Sequence, residues 1–344
     1  MNIFCDSEID DARRREELYG GAIFVYSPSV SARLLCAFAQ ELIEEAFRPH
    51  DPRKVHESMP VERCVEILAE LKPKFIHHRH CKALIRGILT DRGCDLEKTY
   101  FDVPRLRTAF PANYLSSGIA YAFHPHRDTW YSAPFSQINW WMPVYDIRPD
   151  NIMAFHTPYW KEAVANSSST YNYYEWNRTS RQNAAQHVKA DTRVQPRAQV
   201  PVKPEPQLRV VAEVGGAMLF SAAQLHSTVP NTSGITRYSI DFRTVHLDDV
   251  FRKAGAPNID TACSGTTLRD YIRATDFEHL PEEAVALYFD GTEADFVSSP
   301  SSAPSEANRE LSADANTLAG DAQLPPETND EPPNRRVRAA GGQV

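Results

Sequence analysis

The chain has 344 residues, 42% of them hydrophobic and 24% charged, with 37 basic side chains against 45 acidic ones and a formal net charge of -8. This balance fits a globular chain of one large domain or two ordinary ones and excludes fibrous and wholly disordered classes. It also argues against nucleic acid as a partner, because phosphate binding draws on clustered Lys and Arg.

Residues 1–15 run acidic then basic without an apolar centre, and no stretch approaches about 18 consecutive apolar residues, so neither a signal peptide nor a membrane span is expected. A cytoplasmic chain is the expectation. Its six cysteines are scattered and form no CxxC pair, which favours reduced thiols over disulfides.

In chain order, a short strand is expected at 22–26. Ser27 and Pro28 then read as a helix cap with a proline in the first turn, and Val30, Leu34, Leu35, Phe38, Leu42, Ile43 and Phe47 recur at helical spacing up to Pro49. Two further helices are expected at 61–71 and 73–89, the second closed by Gly93. The run His77-His78-Arg79-His80 falls on that helix, where neighbouring side chains diverge by about 100°, so it reads as a solvated face and not a shared metal site. Together, 1–98 form a helical buttress.

From residue 99 the period changes to two. Strand-like runs at 100–110, 119–124, 135–145, 152–155, 208–214, 217–221 and 235–245 have no helices alternating between them, which predicts an antiparallel sandwich or barrel over 99–250 and excludes a βαβ sheet. A polar insertion at 161–207, carrying Tyr171, Tyr173, Tyr174 and Trp176, is long enough to serve as a lid. Short helices return over 251–296. The segment 297–344 has no aromatic residue and is dominated by Pro, Ser, Ala, Asn and acidic residues, a mixture expected to stay disordered.

Nucleotide-loop, dinucleotide, serine-hydrolase and HExxH signatures are all missing. The chemistry concentrates instead at His124-Pro125-His126-Arg127-Asp128, at the end of an expected strand. Residues two apart on a strand share a side, so His126 and Asp128 can meet one metal ion. A second histidine from a distant strand, His226, completes a 2-His-1-carboxylate set of the kind that leaves iron positions open. His124 shares the parity of His126 but lies four residues from Asp128, across a proline, which leaves it lining the site or serving as a structural histidine. After His226, Arg237, Ser239, Asp241 and Arg243 alternate with apolar Tyr238, Ile240 and Phe242. A guanidinium on an inward face needs a carboxylate partner, and a dicarboxylate cosubstrate supplies one. In 137–145, Gln137, Asn139 and Trp141 form the mixed face that suits a cavity. Trp130 and Trp141 are the aromatic candidates for lining it.

The order His126-x-Asp128, then His226, then Arg237 eleven residues later within Arg237-x-Ser239, resembles the Fe(II)/2-oxoglutarate-dependent oxygenases, and among them the phytanoyl-CoA dioxygenase-like branch, over roughly 105–249. The resemblance implies a mainly β fold with flanking α-helices around a double-stranded β-helix, the jelly-roll or cupin-like core. It implies that His126, Asp128 and His226 bind Fe(II), that Arg237 and Ser239 hold the far carboxylate of 2-oxoglutarate, and that Thr228 and Asn139 contribute to the cosubstrate site. Oxygen is then the second cosubstrate, and a small-molecule substrate is hydroxylated with release of succinate and carbon dioxide. Aspartate at 128 favours hydroxylation or a related oxidation such as desaturation, since the superfamily's halogenases need a small residue there. The alternative is a non-catalytic cupin-type jelly-roll binding protein with a structural metal or none. No motif fixes an oligomeric state.

Overall fold

The computed structural model describes residues 1–120, 124–179 and 193–292. The strand expected at 119–124 falls partly outside them, as do the middle of the 161–207 insertion and the whole 297–344 segment. Among the described residues there are ten strands and seven α-helices, and no helix is long and apolar enough to cross a membrane.

The strands are β1 (Ile3–Cys5), β2 (Ile23–Tyr26), β3 (Thr99–Phe101), β4 (Arg105–Ala109), β5 (Ile138–Pro143), β6 (Met153–Phe155), β7 (Ala217–Ser221), β8 (His226–Thr228), β9 (Arg237–His246) and β10 (Ile272–Arg273). Eight of them form one sheet in the order β1-β2-β7-β5-β9-β3-β10, with β4 also pairing β9, while β6 and β8 form a second, two-stranded sheet. Apart from the parallel β1–β2 edge, the pairings are antiparallel.

Side-chain alternation gives the large sheet two apolar faces. Phe24, Trp140, Leu219, Tyr238, Ile240 and Phe242 pack against the helices α1 (Asp11–Tyr19), α2 (Val30–Phe47), α3 (Val61–Ile76) and α4 (Arg79–Asp91). Ile23, Trp141, Met218 and Phe220 point the other way, to Phe155 of the small sheet. The polar residues of this second face line the cavity described below. Three short helices complete the set: α5 (Tyr173–Thr179), α6 (Leu247–Phe251) and α7 (Glu282–Ala286).

Several local expectations change. α2 is capped by Ser29, whose hydroxyl accepts from the Ala32 N–H at 3.3 Å, and not by Ser27. Ser27 precedes Pro28, which disfavours helical backbone there, and it bonds Asp6 instead. α3 runs through Pro73 to Ile76, and the break falls at His77 and His78, where the His78 ring caps α4. The histidine run therefore sits at a helix junction and not within one helix. The run at 100–110 is divided at Asp102-Val103-Pro104. The run at 208–214 forms no strand, only a bridge from Leu208 to Phe155. Gly118–Ala120 is a 3-10 turn where a strand was expected to begin. β1 and α1 come from a stretch that shows no apolar period.

Candidate metal centre

His126 and His226 face each other across an antiparallel bridge, each N–H donating to the other's carbonyl at 2.9 Å. This pairing brings the small sheet to the HxD segment and sets the imidazole centroids 4.3 Å apart. Asp128 is not on a strand. It opens a 3-10 turn, Asp128–Tyr131, and its N–H donates to the Ala222 carbonyl at 2.9 Å. Even so, one ligand atom from each of His126, Asp128 and His226 lies within 4.8 Å of the other two.

The two histidines are oriented in the same way. His126 Nδ1 bonds the His124 carbonyl at 2.8 Å, and His226 Nδ1 bonds the Gln224 carbonyl at 3.0 Å. Because a carbonyl only accepts, each Nδ1 carries the proton, and each Nε2 is left with a lone pair. His126 Nε2 then stands 3.4 Å from Asp128 Oδ1, so two acceptors confront each other. A cation between them resolves that conflict. Burial, followed by the neighbouring His126, pushes His226 down to about 4, so it is neutral and metal-ready at pH 7.

Asp128 is fixed through its other oxygen. Oδ2 accepts from Asn139 Nδ2 at 2.8 Å and from Gln137 Nε2 at 3.3 Å, and Gln137 is in turn held by the Tyr271 hydroxyl at 2.7 Å. Burial opposes the charge on Asp128, and the Arg243 guanidinium, 3.8 Å away, is among the groups that outweigh it and hold the carboxyl well below the usual carboxylate range. Arg243 is itself anchored on Asp102 at 3.1 Å. Between the two ligands, Arg127 turns away from the site and is fully buried. It donates to the carbonyls of Ala223, Tyr159 and Glu162 and to Asp260. Asp260 also accepts from Trp130 Nε1 and from the Val164 N–H, which ties the HxD loop to the insertion.

A cavity of about 670 Å³ opens on this centre. Arg237 lines it; one of its amino groups donates to the Asn151 carbonyl at 3.0 Å, while its buried Nε has no partner among the described residues. Ser239, on the same face of β9, is fully buried with an unpartnered hydroxyl. Burial pulls Arg237 down to about 10, so it remains charged at neutral pH. Thr228 and Trp141 line the same space, with the Arg237 guanidinium 5.8 Å from the Trp141 ring centre. An orphaned guanidinium nitrogen beside an orphaned hydroxyl fits a carboxylate ligand.

Two expected lining residues, His124 and Trp130, are not part of the cavity wall, and a third, Asn139, reaches it in another role. His124 is exposed and contributes its backbone carbonyl to the centre. Trp130 is wholly buried in a cluster with Val164 and Leu225, because its N–H is claimed by Asp260. Asn139 reaches the cavity, but its amide is spent on Asp128. Sequence reasoning did not single out Gln224, Arg127, Asp260, Tyr271 or Asp102. A buried arginine between two ligands was the one available signal.

No family model matches the chain, and no curated protein matches it. Among solved structures, EvdO2 from Micromonospora carbonacea var. aurantiaca is similar at 14% identity and a TM-score of 0.40, over 72% of this chain and 94% of that one. That protein has also been solved complexed with 2-oxoglutarate. The non-heme monooxygenase ThoJ is similar at 12% identity and a TM-score of 0.35, over 84% of this chain and 92% of that one. The non-heme alpha ketoglutarate dependent epimerase SnoN from nogalamycin biosynthesis is similar at 12% identity and 0.32, over 69% and 84%. Likenesses this distant carry no argument about activity, which rests on the chain's own side chains.

Proposed function

We propose that this chain is an Fe(II)/2-oxoglutarate-dependent dioxygenase of the phytanoyl-CoA dioxygenase-like branch, a hydroxylase of a small polar metabolite, built on a double-stranded β-helix within 99–250. One observation carries the reading. Two imidazoles and a carboxylate turn lone pairs to a single point, in a cavity lined also by Arg237 with its orphaned Nε. Two neutral nitrogens with one carboxylate is the donor set of non-haem Fe(II), with positions left open for cosubstrates. The two facing sheets support the β-helix.

When bound, iron, 2-oxoglutarate and oxygen supply the oxidation, with succinate and carbon dioxide as coproducts. The protein's own part is binding, orientation and exclusion of water. Arg237 receives the far carboxylate of 2-oxoglutarate, with hydrogen bonds added by Ser239 and Thr228. Gln137 and Asn139 hold one oxygen of Asp128 so that the other faces the metal. The insertion contributes Tyr171, Tyr173 and Trp176 to the cavity wall, as a lid that keeps water from the reacting centre would.

The test is iron-dependent succinate release from 2-oxoglutarate by purified protein. His126→Ala, Asp128→Ala and His226→Ala should each abolish it without unfolding the chain. Substantial turnover in any one of the three would show that the ligand set is misassigned, and no turnover in the wild type would favour a non-catalytic binding module.

A further inference from the structure

The cavity extends past the metal centre to a wall formed by α3 and β4, lined by Lys72, Ile76, Leu106, Arg107 and Ile119. Charge on this wall is unbalanced. Of the carboxylates lining the cavity, Asp102 pairs with Arg105 and Arg243, Asp241 takes both available bonds from Arg107 at 2.7 and 3.3 Å, Asp270 accepts from the Tyr173 hydroxyl, and Asp128 belongs to the metal centre. Lys72 makes no ion pair with any described carboxylate, and its ammonium donates only to the Ile119 carbonyl. Burial and then the adjacent Arg107 guanidinium lower it to about 7, against a smaller opposing pull from Asp241, which is itself bonded to Arg107. A neutral carbonyl is a weak partner for a sunken ammonium, whereas an anion restores the balance.

We propose that Lys72, beside Arg107, forms an anion subsite that receives a carboxylate or phosphate group of the substrate. The inference rests on the oxygenase reading for what the substrate undergoes, but not for where the anion binds. Arg237 lies on β9 and Arg107 on the adjoining β4, opposite Ser239, while Lys72 reaches the same wall from α3. Near the metal centre the cavity wall is aromatic. Tyr131 meets the His126 ring at 5.6 Å, Tyr171 meets Tyr131 at 5.5 Å, and Trp176 follows at 6.3 Å, so ring-bearing anions suit the space.

Phenyl phosphate, with phenol as its uncharged counterpart, is the probe, titrated calorimetrically into the full chain without added metal. Wild type should bind phenyl phosphate at least about tenfold more tightly than phenol, the scale of one charge-assisted hydrogen bond. Lys72→Met, which keeps the apolar stem, should lose that preference, while Lys72→Arg and Arg237→Gln keep it. Independently of any variant, phenyl phosphate should protect Lys72 from reductive methylation in the wild type, as read by peptide mass spectrometry. Equal binding of the two probes, an unprotected Lys72, or a preference lost in Arg237→Gln but kept in Lys72→Met would overturn the subsite. Fe(II) binding and succinate release, measured on the same preparations, report separately on the oxygenase reading.

Discussion

Backbone carbonyls accept from both histidines of the metal centre, and this fixes what individual substitutions should do. His124 offers its carbonyl to the His126 ring, and His124→Ala keeps that carbonyl, so it should leave iron binding intact. Asn139 and Gln137 are the side chains that hold Asp128. Asn139→Ala should therefore weaken Fe(II) affinity by about 10- to 100-fold, the usual effect of losing a ligand's supporting bond. Equilibrium dialysis against iron distinguishes the two, and equal affinities would show that Asp128 needs no such support. Arg237→Gln acts on the cosubstrate instead. Losing a paired, shielded charge contact should cost about 2 to 5 kcal/mol, or roughly 30-fold to several thousand-fold in the KM for 2-oxoglutarate, with iron affinity nearly unchanged. Lysine should rescue only partly, because an ammonium lacks the planar fork. At this scale the sequence was legible where spacing carries chemistry: HxD, the distant histidine and the alternation on β9 name the residues that converge. It was not legible where a side chain's partner lies far along the chain. Trp130 reads as a site aromatic until Asp260, 130 residues away, claims its N–H.

Among the elements, long periodic ones were readable and charge-held ones were not. The apolar stripe of α2 announces itself, but α1 buries only Arg14, Arg15 and Leu18 and has no stripe to find. Its anchor is Asp249, within α6, which accepts from Arg15 Nε at 2.7 Å, the Tyr19 hydroxyl at 2.9 Å and Arg252 at 2.6 Å. Burial works against this carboxylate's charge, but Arg15 leads the groups that hold it below its ordinary value of 3.8. A lowered folded value means that the carboxylate's stabilisation is fully present above the unfolded value and is lost as pH falls through the folded one. Breaking this clamp with Asp249→Asn should cost about 1 to 3 kcal/mol near neutral pH, the scale of lost charge-assisted hydrogen bonds, because Asp11 still pairs with Arg15. The gap from wild type should narrow only as thermal melts are taken below the ordinary value of 3.8. A gap that stays constant with pH would mean that the carboxylate's charge is not what fastens α1.

Across the whole molecule, three separated stretches meet at one place: the HxD loop, the β8–β9 unit and the 258–270 segment that braces the insertion. Asp260 joins Arg127 and Trp130 to Val164, and Ser264 bonds Tyr171 and Asn172, so the insertion's aromatic cluster is fastened directly over the metal centre's own loop. Such closure is invisible to pattern, because it depends on contacts between residues about a hundred positions apart. The central claim is that this assembled cavity holds iron and 2-oxoglutarate together. The most direct test is visible absorption of the full chain under anaerobic conditions, with Fe(II) added first and 2-oxoglutarate second. A weak charge-transfer band should appear only after the second addition, be missing from His226→Ala, and need far more 2-oxoglutarate in Arg237→Gln. No band in the wild type at saturating 2-oxoglutarate, or an equal band in His226→Ala, would contradict the claim.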